Sequence, residues 1–417
     1  MHGAALRERF LALDAFLVAH QALWRPRPFM HLTLPWEADH PALAHWLRQQ
    51  SLDHAEAAHT HPHTVAAPAP YPQLAETAAQ LSALDDLPSI NLPPARHRLD
   101  VDVPGRKWQQ INAFAAHLPF TQPTTHWLDW CAGKGHLGRR LLQGEQQLTC
   151  LEHDPSLVAA GHALSQHHRL AANHVQQDVM VSSTEHHLQA HHTPVALHAC
   201  GDLHVRLMQL ASARGCQQLA IAPCCYNRTA HPSYQPLSNH ARASQLTLSL
   251  DDLSLPASET VTAGQRVRRQ RDHSMARRLA FDLLQRTLRN TDQYLPTPSL
   301  PSAWLNKPFA DYCRDLANLK GLPLTTEPHW PTLEAAGQQR LAHVRNLELL
   351  RNLFRRPLEL WLTLDRALYL EERGYQVQLG HFCPTHLTPR NLLLLAERRD
   401  REQIPQPPVD NSVDNNY

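Results

Sequence analysis

The chain is short of lysine. Lys107, Lys134, Lys307 and Lys320 are its only ones, so nearly all of its positive charge is arginine. It also lacks net charge, at +1 over 417 residues, which removes any whole-molecule electrostatic case for nucleic acid or an anionic membrane as partner. Long apolar runs are missing: even LELWLTLDRALYL carries Glu359, Asp365 and Arg366, far from the roughly 18 uncharged residues of a membrane span. The N-terminal MHGAALRERFLALDAF alternates charge with apolar residues and has no signal-peptide pattern. Eight cysteines in such a length, two of them adjacent at Cys224 and Cys225, do not make a disulfide framework. No internal repeat is present. These absences predict a soluble protein of a reducing, cytoplasmic compartment, with no membrane partner.

What is present is a core-forming composition, 42% hydrophobic against 18% charged, in a length that suits two or three units at roughly 150 residues each. The 31 histidines predict a charge that climbs steeply below a pH of about 6.5. Apolar positions Leu6, Phe10, Leu13, Phe16 and Leu17 mark a helix over 5–22, and a second is expected over Pro41–Gln50. Residues His54–Pro72, with HTHPH and VAAPAPYPQ, read as a Pro/Ala linker. His59, His61 and His63 lie in it without Cys or carboxylate partners at ligand spacing, which favours solvated side chains over a metal site.

From about Arg106 strands and helices alternate, the pattern of a parallel, doubly wound α/β sheet. A helix is expected over Lys107–His117, and strands over His126–Trp130, Leu148–Glu152, His174–Asp178, Val195–Ala199 and Gln218–Ala222. The alternation stops after Tyr226 for an arginine-rich helical stretch. It resumes with a helix over Leu358–Arg373 and strands over Gln376–Phe382 and Asn391–Ala396. The expected organisation is a helical N-terminal region over 1–100, a nucleotide-binding domain over 101–400 with a helical insertion over 227–355, and a polar, disordered tail over 401–417.

The strongest local signal is HWLDWCAGKGHLG, residues 126–138: a strand, then a turn bearing Cys131, Ala132, Gly133 and Gly135, then Gly138 in the next helix. Glycines there let the backbone approach a nucleotide-like ligand. Glu152 ends the next strand, about 20 residues on, where an acid accepts hydrogen bonds from ribose hydroxyls. Asp178, followed by Val179, ends the third strand and suits an adenine amino group. Taken singly these are ordinary polar strand ends; taken in order they describe an adenosine-bearing cofactor with no pyrophosphate, which favours S-adenosylmethionine (SAM) over NAD. The fourth and fifth strands end in ALHACGDLH and LAIAPCCYN, so His198, Cys200, Asp202, Cys224, Cys225 and Tyr226 are expected to gather near Cys131.

That gathering suits a pocket for methyl transfer, with Asp202 as base, Tyr226 as positioner and Cys224 beside them. Small buried cysteines are the second reading. Metal thiolates are the third: there is no CxxC spacing, and Asn227 stands where the zinc-deaminase pattern needs a cysteine, so no metal is expected. In the insertion, Arg266, Arg268, Arg269, Arg271, Arg277, Arg278, Arg286 and Arg289 suit RNA phosphates or, equally, a solvated helix face.

At these residues the chain resembles the SAM-dependent class I methyltransferases, and within them the branch sharing HACGDL and CCY. That branch includes the ribosomal RNA adenine dimethylase domain-containing proteins and the glutathione S-transferase C-terminal-domain-containing protein, with the tRNA acceptor-stem 2′-O-methyltransferase as a distant relative. The resemblance covers about residues 100–400, including DRALYLEERGYQVQLGHF and LTPRN. It implies a Rossmann-like seven-stranded sheet closed by an antiparallel hairpin, with the last strand inserted beside the middle of the sheet. It also implies that Asp129, Gly133 and Gly135 hold the methionine end of SAM, Glu152 the ribose and Asp178 the adenine, while Lys107 and Trp108 line the pocket. The cofactor set is completed by Cys131, Ala132, Val179 and His198. RNA, as tRNA or rRNA, is the expected substrate; methylation of protein, or SAM binding without catalysis, are the alternatives. The Cys/His zinc segment of the tRNA enzyme and the Asn/Asp-Pro-Pro-Tyr of adenine amino-methylases are both missing.

Overall fold

The structure is a computed structural model describing residues 1–59, 61–258, 265–324 and 326–398. The expected tail over 401–417 lies outside them. The chain forms two units. One comprises Met1–Phe10, Leu84–Ser244 and the chain from Leu362 on; the other comprises Leu11–Ala83 and Gln245–Trp361.

The first unit is built on a seven-stranded sheet, β1 His126–Trp130, β2 Gln147–Glu152, β3 Ala172–Gln176, β4 His192–Cys200, β5 Gln218–Cys224, β6 Tyr375–His381 and β7 Leu392–Arg398, in the order β3-β2-β1-β4-β5-β7-β6. Strands β1 to β5 are parallel. The closing hairpin is antiparallel, with β7 paired to both β5 and β6. This is a seven-stranded, mixed, Rossmann-like α/β sheet. The most covered strands are apolar apart from Gln218, which hydrogen-bonds to Thr124 and Thr193, as strands buried on both faces must be: every residue of β5 and the first five of β7 are buried. Strand order reverses at β1, flanked by β2 and β4, and ligands of open α/β sheets bind beyond the strand carboxyl ends at such a switch point.

Three carboxyl ends among β1 to β5 differ from expectation for local reasons. Strand β3 ends at Gln176 rather than Asp178, because Gln177 turns its side chain onto Ser183 and Thr184, and the Asp178 carboxylate accepts the Met180 N–H. Strands β4 and β5 run on to Cys200 and Cys224, with a bulge between Leu197 and Cys200.

The second unit is helical. Helices Gln265–Arg289 and Trp330–Asn352 pack against each other, and Pro41–Gln49 and Leu52–Ala58 pack on the latter. A buried Asp282 accepts from Arg286 Nε at 2.9 Å and from Arg340 at 2.5 Å. The stretch 54–72 is not an open linker. Ser51 caps the Ala-rich helix Leu52–Ala58 through the His54 N–H, His54 pairs with Asn346, and the buried Tyr71 hydroxyl donates to the Pro62 carbonyl at 2.6 Å. Alanine's helix propensity and one serine cap form the helix ahead of the prolines that follow it. Among the described residues no helix is long and apolar enough to cross a membrane.

Candidate active site

The carboxyl edge of β1 and β2 is organised by two carboxylates acting on the loop between β1 and helix His136–Leu141. Asp129, buried in β1, accepts the Gly138 N–H at 2.9 Å. Glu152, ending β2, accepts the Gly133 N–H at 2.8 Å through one oxygen and the Asp154 N–H at 3.0 Å through the other. Gly133 and Gly135 have φ of +57° and +73°, and Cys131 shares the left-handed region at +56°. Ala132 ties the loop to β2 through the Leu151 carbonyl. A Cβ on Gly138 would lie 2.5 Å from Leu148 Cδ1, so glycine is what lets the helix sit this close to β2. A Cβ on Gly133 would meet nothing within 4 Å, so the loop borders open space.

Burial pushes the Asp129 carboxyl up to about 7, against the Gly138 hydrogen bond and the nearby Arg139 and Lys107 charges that pull it down. Burial, helped by Glu152 and Asp129, likewise lifts the Cys131 thiol to about 12. That thiol is a neutral group at physiological pH and no nucleophile. Asp178 is exposed just past β3, and Val179 beside it is buried.

The ends of β4 and β5 form the other half of the edge. His198 is exposed at φ +66°, with Nε2 against Gln110 Oε1 at 2.8 Å. Gly201 (φ 55°, ψ −121°) turns the chain into helix Asp202–Arg214. Its N–H donates to the Cys224 carbonyl at 3.1 Å, and the Asp202 N–H donates to the Arg228 carbonyl at 2.9 Å, stitching this turn to the loop after β5. One Asp202 oxygen accepts the Ala230 N–H at 2.8 Å. Cys225 takes φ +46°. Three non-glycine residues in left-handed backbone, Cys131, His198 and Cys225, each cost about 1–2 kcal/mol. Such strain clusters at functional sites.

Sulfur gathers here as well. Cys200 and Cys224 are register partners with Sγ atoms 3.5 Å apart, and Cys225 Sγ joins them, all three within 4.8 Å of one another. Hydrogen bonds from the other two thiols, then the Arg390 and Arg228 charges, hold Cys225 low, while the same sharing pushes Cys224 up. Cys224 is buried, and Cys200 and Cys225 are half-buried.

Beneath the turn lies a buried network that sequence reasoning missed. His204 donates from Nδ1 to the Ala199 carbonyl at 2.8 Å and accepts at Nε2 from Arg366 Nε at 2.6 Å. Burial and that guanidinium hold its pKa well below the ordinary value. Arg366 also donates to the Leu362 carbonyl and the Tyr234 hydroxyl, and lies 4.8 Å over the Tyr226 ring. Asp365 accepts from the Tyr234 hydroxyl and from the Leu237 and Ser238 N–H groups. Tyr226 is itself buried, its hydroxyl 2.7 Å from Thr363 Oγ1. Above the network, a cavity of about 190 Å³ is lined by Asp202, Arg206, Tyr226, Tyr234 and Arg366 among others. The signal for this network in sequence was two charges, Asp365 and Arg366, inside an otherwise apolar helix.

The arginine-rich helix of the second unit is divided by its packing. Arg277 and Arg286 are buried, Arg278 donates to the Pro298 carbonyl at 3.0 Å, and Arg289 donates to Gln285. Arg266, Arg268 and Arg269 are exposed.

A solved structure described as a possible exported protein from Bordetella parapertussis aligns over 95% of this chain and 96% of its own, at 13% identity and a TM-score of 0.27. Residues 106–232, which hold β1 to β5 and both stitched turns, match the family model described as a methyltransferase domain, and that match supports a methyltransferase.

Proposed function

We propose that the chain is an SAM-dependent methyltransferase acting on RNA. The observation that carries the cofactor reading is the row of acids Asp129, Glu152 and Asp178 along the carboxyl edge of β1, β2 and β3, around a loop that opens onto space at Gly133. The donor set fits the cofactor: two carboxylates for ribose hydroxyls and an adenine amino group, and left-handed glycines for close approach. SAM, when bound, supplies an electrophilic methyl group.

The protein's own residues do the rest. Glu152 would accept from ribose hydroxyls with the lone pairs that its Gly133 and Asp154 hydrogen bonds leave over, Asp129 keeps the loop in register through Gly138, and Lys107 and Trp108 would border the same edge. Asp202 lines the cavity beside Tyr226 with one oxygen anchored to Ala230, and it takes the proton of the acceptor. The Arg366–His204 pair fixes the floor of that cavity. Exposed Arg266, Arg268 and Arg269 support RNA as the acceptor, since phosphate contacts by arginine supply affinity without sequence preference.

The test is transfer of label from radioactive SAM to separated RNA and protein fractions of a strain lacking this gene, so that acceptor sites are still unmethylated. Label in RNA is expected. Label confined to protein would overturn the RNA assignment, and no label in either fraction would overturn methyl transfer to a macromolecule.

A further inference from the structure

We propose that Cys200, Cys224 and Cys225 form a three-thiolate site for a single zinc ion at the carboxyl edge of the sheet. The sequence argues against metal because no CxxC spacing is present; the fold supplies the proximity that spacing does not. Cys200 and Cys224 end neighbouring parallel strands in register, and the third sulfur comes from the residue next to Cys224. Adjacent residues of a strand point to opposite faces. Here the left-handed backbone of Cys225 (φ +46°) breaks the alternation and turns both side chains to one point.

The spacing suits zinc. Tetrahedral thiolates about 2.3 Å from the ion lie about 3.8 Å from one another, and these sulfurs are 3.5 Å apart for Cys200 and Cys224 and within 4.8 Å for the set. A tighter cluster would form a disulfide, and all three cysteines are free. Thiolates select soft metals over magnesium or calcium. Three of them with one divalent ion leave a net negative charge, and Arg228 and Arg390 lie close enough to act on Cys225. Cys200 and Cys225 are half-buried, so the fourth position of the ion is reachable from solvent, as in zinc sites with three protein ligands.

A second cluster, His126, His191 and His192, also brings three ligand atoms within 4.8 Å, on the opposite edge of the sheet. It serves as the internal control. The full chain, purified under reductant and stripped with a chelator, is loaded with zinc, and with cobalt as a spectroscopic probe. The expected result is one zinc per chain by mass spectrometry and a thiolate-to-cobalt charge-transfer band. In competition with a chromophoric chelator, Cys200→Ser and Cys225→Ser each weaken zinc binding at least tenfold. The combined His126→Ala, His191→Ala and His192→Ala variant binds as wild type does. The wild-type cobalt spectrum reads the ligands without any substitution, so a variant that fails to fold does not decide the matter. A chain that takes up no zinc, a cobalt complex with no charge-transfer band, or zinc lost in the histidine variant and kept in the serine variants would overturn the proposal.

Discussion

Replacing Gly201 with alanine separates the cost of backbone conformation from the cost of close approach. Its φ of 55° and ψ of −121° lie where L residues rarely go, a penalty of about 1–2 kcal/mol. An added Cβ would also lie 1.8 Å from the Arg228 carbonyl oxygen and 2.6 Å from its carbon. Backbone cannot swing aside as a side chain can, so the two turns must part. Parting them loses the Gly201–Cys224 and Asp202–Arg228 hydrogen bonds, about 0.5–1.5 kcal/mol each. The sum is about 2–5 kcal/mol. Gly215→Ala is the matched control: its φ is +77° and a Cβ there meets nothing within 4 Å, so it should cost only about 1 kcal/mol. Because two units need not unfold together, hydrogen exchange resolved to peptides over 198–205 is the better assay. Protection there should fall about 30-fold or more in Gly201→Ala, following from about 2 kcal/mol. If Gly201→Ala loses no more protection than Gly215→Ala, the close approach of the two turns is wrong.

Three further outcomes are expected, two at the sheet edge and one on the arginine-rich helix. Asp129, with its pKa raised by burial to about 7, favours folding fully below its unfolded value near 4, and that contribution is lost as pH rises through 7; Asp129→Asn, which keeps an acceptor for Gly138, should therefore gain on wild type in urea unfolding between pH 4 and 8, by up to roughly 4 kcal/mol, and a difference that does not change with pH would contradict this. Asp202→Asn keeps the Ala230 hydrogen bond and should lower turnover by about 100-fold with SAM affinity within about twofold; unchanged turnover removes Asp202 from proton transfer. Arg268→Glu with Arg269→Glu should weaken RNA retention at low salt and flatten its salt dependence, and equal retention removes the local support for RNA.

The sheet was legible because its signals are local. Strand β1 is found over the expected residues, and the Leu-rich β7 lies antiparallel beside β5, because a buried strand must be apolar on both faces whatever its neighbours. The loop between β1 and Gly138 was legible for the same reason, since each glycine answers a constraint within its own turn. What was not legible depends on register or on distance along the chain. His204 and Arg366 are 162 residues apart, and no periodicity joins them. The cysteine cluster arises from the pairing of Cys200 with Cys224 and a left-handed Cys225, neither of which spacing reveals. Residues 54–72 misled because prolines announce a break, while the alanine helix ahead of them and the buried Tyr71 are set by packing within the second unit.

The central claim is that the carboxyl edge of β1 to β3 holds SAM. Isothermal titration of SAM into the wild-type chain and into Glu152→Ala tests it most directly. Losing a charged acceptor of the ribose hydroxyls is worth about 1.5–3 kcal/mol. Saturable one-to-one binding by wild type is predicted, weakened about tenfold to a hundredfold in the variant. Absence of binding by wild type, or equal affinity in the variant, would contradict it.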